Sequence, residues 1–173
     1  MGQYYTAILL DKKKETIVAN IQPYDYGSGS KLMEHSWMPN DFVKSVESLI
    51  YKNAMPVVWA GDYADNEDLK EDNLYSLAEE KTNLKPTTSL DISKSRYIIN
   101  HDTNEYIDKE KVPTDADGYQ IHPLPLLTCE GNGRGGGDFH GDSELVGSWA
   151  RDSISVSEDL PAGYTELKFL LTE

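Results

Sequence analysis

The run GNGRGGGDFHGD, residues 131–142, sets six glycines around one arginine, two aspartates and one histidine. Backbone N–H groups freed by glycine can close on an anion. Gly133, Arg134 and Asp138 are the ligand-binding candidates of such a loop. The spacing G-x-G-x-x-G is met by Gly131, Gly133 and Gly136. A dinucleotide turn, however, follows a first strand and opens a helix, with an acid about twenty residues on. Here the chain continues as GDFHGDSELVGSWARD, which has no helical stripe, and the lysine of a phosphate loop is missing. The run therefore reads first as a shaped turn. Its consecutive glycines 135–137 permit positive φ or the close approach of another backbone.

Soft metal ligands are scarce. His101, His122, Cys129 and His140 are the candidates for zinc, which accepts both imidazole and thiolate. None has zinc-finger spacing and H-E-x-x-H is absent. A chain of 173 residues buries enough surface to fold without a metal. No cofactor is expected, with zinc as the alternative. Calcium binding through DYADNEDLKED fails, because Glu67 stands where the calcium loop needs glycine. No G-x-S-x-G elbow presents a serine, and CEGNG around Cys129 has no protease signature. Carboxylate pairs are too common in this chain to single one out. An enzyme is not expected. The alternative is a ligand- or metal-binding protein or small hydrolase built on loop 131–142.

Charge is the stronger clue. Thirty acids against sixteen bases leave −14, which repels nucleic-acid phosphates and attracts a basic protein surface. Half of that charge lies in nineteen residues, 62–80, where eight acids face one base, Lys70. The acids are Asp62, Asp65, Glu67, Asp68, Glu71, Asp72, Glu79 and Glu80, interleaved with Tyr63 and Tyr75. Tyrosine gives large contact area at small entropic cost, so these ten residues are the partner-binding candidates.

These groups need a scaffold. QYYTAILL and ETIVANIQ read as an N-terminal hairpin. Asn40 can cap a helix whose apolar stripe is Phe42, Val43, Val46, Leu49 and Ile50. MPVVWAG reads as a buried strand, with the acidic loop and a short helix near 73–81 after it. RYIINHDTNEYID reads as a second hairpin turning at 101–104. IHPLPLLT reads as extended, since proline disfavours helix in its predecessor. LVGSWA, DSISVS and YTELKFLLT have strand character. The expectation is a single α+β domain over 1–173, with possible halves of about 1–90 and 91–173 and an antiparallel or mixed sheet of about seven strands with two helices. WAGD at 59–62 and WARD at 149–152 form a short internal echo.

The single Cys129 suits a reducing compartment, and no apolar run approaches the length of a membrane span. MGQYY, HSWMPNDFV, VVWAGDYAD, IINHDTNEYID and HPLPLLTCEGNGRGGGDF together resemble a family of small acidic proteins from Firmicutes and their phages. That resemblance carries over no activity and no site residues. It implies the cytoplasm of a bacterial host. In phages, small acidic proteins often block host defence nucleases. The functional expectation is a DNA-mimicking, anti-CRISPR type of inhibitor that occupies the basic surface of a nucleic-acid-processing enzyme without binding nucleic acid or membrane itself.

Overall fold

Among the described residues eight strands form one open mixed sheet, in the order β2 (Ile17–Ile21), β1 (Tyr5–Leu10), β3 (Met55–Gly61), β7 (Ser153–Ser157), β4 (Tyr97–Asn100), β5 (Glu105–Asp108) and β8 (Thr165–Glu166), with β6 (Cys129–Glu130) paired to β3. In this computed structural model residues 3–131, 137–141 and 143–172 are described. The first hairpin is β1 (Tyr5–Leu10) and β2 (Ile17–Ile21). After α1 (Leu32–His35) and α2 (Asp41–Leu49), β3 (Met55–Gly61) returns antiparallel beside β1. The second hairpin is β4 (Tyr97–Asn100) and β5 (Glu105–Asp108). β7 (Ser153–Ser157) returns antiparallel beside β4 and meets β3 at Met55↔Ile154. Each half thus contributes a hairpin and a returning strand, and the two returning strands join at the centre.

Side-chain alternation sends the sheet's apolar residues to two covers. Ala7, Val57, Trp59, Ile98, Ile154 and Val156 face α1, α2 and α4 (Pro123–Thr128) in the main core. Ile8, Leu10, Val58 and Ala60 face the opposite way and pack on Leu74 and Ala78 of α3 (Leu74–Ala78). The stripe expected of α2 is buried, with Phe42, Val43, Val46 and Ile50 at zero exposure. Asn40 caps it by accepting the Val43 N–H at 3.2 Å.

The α+β class and the mixed sheet are as expected, with four short α-helices among the described residues in place of two. The extra ones have local causes. IHPLPLLT is not extended: Pro123–Thr128 is α4, capped by His122, whose Nδ1 accepts the Leu124 N–H. Both its prolines fall in the first turn, where the missing N–H has no intrahelical partner to lose. LVGSWA is a chain of turns rather than a strand, and only Thr165–Glu166 of YTELKFLLT pairs, as β8. The WAGD and WARD echoes are not equivalent, because Trp59 lies inside β3 and Trp149 in the turns ahead of β7. Among the described residues no helix is long and apolar enough to cross a membrane.

Candidate functional site

β6 (Cys129–Glu130) runs parallel to β3 in the register Trp59↔Cys129 and Ala60↔Glu130. Gly61, where the acidic loop begins, and Gly131, the first glycine of the run, therefore lie at the same end of the sheet. Two stretches about seventy residues apart in sequence share one end of the sheet because of one parallel pairing. Between them lies a cleft of about 480 Å³ whose walls include Asp65, Glu67, Glu130, Gly131, Ser148 and Arg151.

Arg151 closes the cleft floor. Its guanidinium donates to Glu67 at 2.8 and 2.8 Å and to Glu130 at 2.7 and 2.8 Å. Those hydrogen bonds to Glu130 and Glu67 raise its already high pKa further. One cation thus binds two carboxylates in fork geometry and ties the acidic loop to β6. The residue holds φ at +69°, a left-handed conformation rare outside glycine, and its N–H donates to Val57 O at 2.8 Å. Four of its five guanidinium N–H groups are thus committed to carboxylates.

Of the loop candidates, Gly133 and Arg134 lie outside the described residues, as does Asp142. Gly137 takes φ +58°, and a Cβ there would lie 2.9 Å from the Tyr5 ring. This glycine is needed for its conformation and for a close approach, though to a ring and not to another backbone. Asp138 accepts the Met33 N–H at 2.8 Å and so caps the start of α1. Burial pushes the Tyr5 hydroxyl upward, and Cys129, Asp138 and Asp62 add to it. Burial likewise pushes the Cys129 thiol up to about 12, so it is no ready nucleophile.

The acidic candidates divide into anchors and display. Asp62 accepts the Tyr4 N–H at 3.0 Å and Glu67 holds Arg151. Asp65, Asp68, Glu71, Asp72, Glu79 and Glu80 are exposed, as is Tyr63, while Tyr75 is half-buried. The loop is fastened by Glu67 N–H to Asp72 O and Lys70 N–H to Glu67 O, both at 3.0 Å. Asn73 ties its base, donating to Asp62 O and Ala64 O at 3.0 Å while its Oδ1 caps α3 at Ser76. At the tip Leu69 stands 107% exposed with φ +60°. A leucine in full solvent, in a conformation leucine disfavours, on a loop fastened at both ends has no packing role in this chain.

The four zinc candidates sit in different settings. His140 is exposed. His101 Nε2 lies 2.7 Å from Ser155 Oγ and its Nδ1 3.2 Å from the Tyr164 hydroxyl. That spacing resembles a nucleophile and its base, but Ser155 is 4% exposed inside β7, in register with Ile99 of β4. His122 is fully buried with Nε2 3.2 Å from Glu47 Oε1, an ion-pair distance out of line for a hydrogen bond. Glu47 also binds Lys109 Nζ at 2.5 Å, and Ser95 Oγ accepts from the same nitrogen at 3.0 Å. Among the described residues no three His, Cys, Asp or Glu side chains converge as metal ligands.

His35 was no candidate in the sequence, yet it centres the main core. Its Nδ1 donates to Gly29 O and its Nε2 accepts the Trp59 indole N–H, both at 2.9 Å. The neutral ring satisfies both bonds, and burial lowers its pKa from 6.5 to about 4. Burial also lowers that of His122, against the pull of Glu47. Each histidine binds fewer protons folded than unfolded. Their contribution is complete above the unfolded value of 6.5 and is lost as pH falls toward about 4 for His35. Stability is expected to drop by about 1.4 kcal/mol per pH unit for His35 across that window. His122 acts in the same direction. Urea unfolding at a series of pH values measures this, and a flat profile through the window would contradict it.

No protein-family model, no curated protein and no solved structure matches this chain. The site thus rests on its own geometry. Sequence reasoning missed the Arg151 tether and the display of Leu69. A lone leucine inside an acidic run was the available clue to the second.

Proposed function

We propose that this protein is a non-enzymatic interaction protein that docks the acidic segment 62–80 on a basic protein surface. The observation that carries this reading is Leu69, held fully exposed on a fastened loop and flanked in sequence by the exposed Asp68, Glu71 and Asp72. Apolar tips of this kind fill a pocket on a partner, while surrounding charge steers encounter and sets register. The exposed carboxylates are arranged to meet lysine and arginine, and the overall charge of −14 disfavours nucleic acid itself. A surface that normally holds nucleic-acid phosphates fits this description. The reading is therefore a phage-type inhibitor of a nuclease or CRISPR effector, acting in a bacterial cytoplasm.

The test is a pulldown against basic nucleases, CRISPR effectors included, at low salt. Reversal of Asp65, Asp68, Glu71 and Asp72 to lysine leaves the Glu67 tether in place. It is expected to weaken a captured complex by at least about 100-fold, from the loss of several charge pairs. Leu69→Ala alone is expected to cost about 10-fold. A partner that binds the reversed protein equally well at low salt would refute acidic mimicry.

A further inference from the structure

A second feature lies beside the acidic loop, at the edge of the sheet. Asn20, Gln22, Tyr24, Tyr75, Glu79 and Asn83 enclose a cavity of about 320 Å³. It sits where β2 ends, where α3 packs and where the chain after α3 adds to the sheet edge through Asn20 N–H to Thr82 O at 2.8 Å and Leu84 N–H to Asn20 O at 2.9 Å.

The polar atoms of its wall are sorted by one buried residue. The Asn20 side-chain nitrogen faces three carbonyls, Ala78 O at 3.0 Å, Thr82 O at 3.2 Å and Lys81 O at 3.3 Å. Its Oδ1 must then accept, and it does so from Gln22 Nε2 at 2.9 Å and Asn83 Nδ2 at 3.1 Å. One N–H of each outer amide is turned inward on Asn20. Their carbonyl oxygens are left with no protein partner among the described residues. Glu79 adds a carboxylate, and the rings of Tyr24 and Tyr75 complete the walls. Tyr24 is 68% exposed, a costly placement for a ring with nothing to cover. The cavity therefore gathers two amide oxygens, one carboxylate and two aromatic rings, beside the second N–H of each amide and the tyrosine hydroxyls.

An occupant that answers the two amide oxygens, the Glu79 carboxylate and both rings at once brings several N–H donors, a positive charge and a flat face. Guanidinium has five donors on a plane and stacks on aromatic rings, whereas ammonium is a compact charge with three. We infer that this cavity is a binding pocket for an arginine side chain of the protein partner. The inference rests on the docking reading and names a residue of the partner that is gripped by the Tyr75 and Glu79 end of the same acidic segment. Tyr24, Gln22 and Asn83 thereby join the interface, and Tyr75 and Glu79 acquire a specific role in it.

The protein alone suffices for the test. Side-chain amide resonances of Gln22 and Asn83 are followed by NMR during titration with N-acetyl-arginine amide, and in parallel with the citrulline analogue, its neutral isostere. Saturable shifts are expected with arginine at a Kd on the order of millimolar, normal for one side chain. Citrulline is expected to bind at least about 5-fold more weakly, because charge-assisted hydrogen bonds are roughly twice as strong as neutral ones. Glu79→Gln and Tyr24→Leu, both at exposed positions that leave the fold intact, are each expected to weaken arginine about 5-fold. Equal shifts with citrulline, or no shift at tens of millimolar arginine, would overturn the pocket. The docking reading fails separately. Arginine binding to the cavity with capture of a partner unaffected by lysine reversal of Asp65, Asp68, Glu71 and Asp72 refutes the docking reading alone, and a failed pocket with capture still sensitive to that reversal refutes the pocket alone.

Discussion

Glu47→Ala is expected to unfold this protein more readily than any other single truncation of a polar side chain. The variant leaves Lys109 buried with only Ser95 beside its ammonium, and His122 with no acid near Nε2. Removing one partner of a buried ion pair costs about 3–5 kcal/mol, because the other charge stays desolvated. For a domain of this size that lowers Tm on the order of 10 °C. Burial alone would raise the Glu47 carboxyl, but His122 and Lys109 outweigh it and hold it below the ordinary 4.5. Its contribution is thus present above the ordinary value and lost as pH falls through the lower folded one. Thermal unfolding at neutral pH checks the magnitude. The double replacement Glu47→Leu with Lys109→Met removes both charges and is expected to cost less than Glu47→Ala alone. A double variant weaker than the single would refute the account.

Arg151→Ala is expected to cost about 2–3 kcal/mol, from four charge-assisted hydrogen bonds in a half-buried site. Glu67 and Glu130 are then left facing each other across the cleft. Their repulsion is screened by ions, so added salt restores part of the loss. Arg151→Gly separates side chain from backbone. It forfeits the same four bonds but relieves the left-handed strain, and it is expected to be about 1 kcal/mol more stable than the alanine variant. Chemical denaturation of both variants gives the comparison, and equal stabilities would show that the +69° φ is unstrained. Hydrogen exchange supplies the link to function. The amides of Glu67 and Lys70 are fastened within the loop, and they are expected to exchange faster once its tether to β6 is gone.

The same two sites mark the boundary between local and tertiary information. Wherever a contact is made by neighbours in sequence, the chain announces it. The stripe of α2 and its Asn40 cap, the two hairpins and the concentration of acid in 62–80 are all visible in one dimension, because periodicity, capping and charge density are short-range properties. The helix at Pro123 was hidden for a related reason. Proline opposes helix in its predecessor, and only the placement of both prolines in a first turn, under a His122 cap, removes the objection.

What no local pattern carries is which distant segments meet. One parallel pair of two-residue length, Trp59↔Cys129 and Ala60↔Glu130, brings the acidic loop to Glu130 and Gly131. Arg151, eighty-four residues from Glu67, became a tether only through that pairing. Glu47 and Lys109 are sixty-two residues apart, and each looks like a solvated surface charge until both are buried. Charge and apolarity are written residue by residue, so the acidity of 62–80 and the class of fold were legible in the sequence. The direction in which a side chain's donors point is set by the buried atom it must satisfy, as Asn20 does for Gln22 and Asn83, and that is decided only when the chain has closed around it.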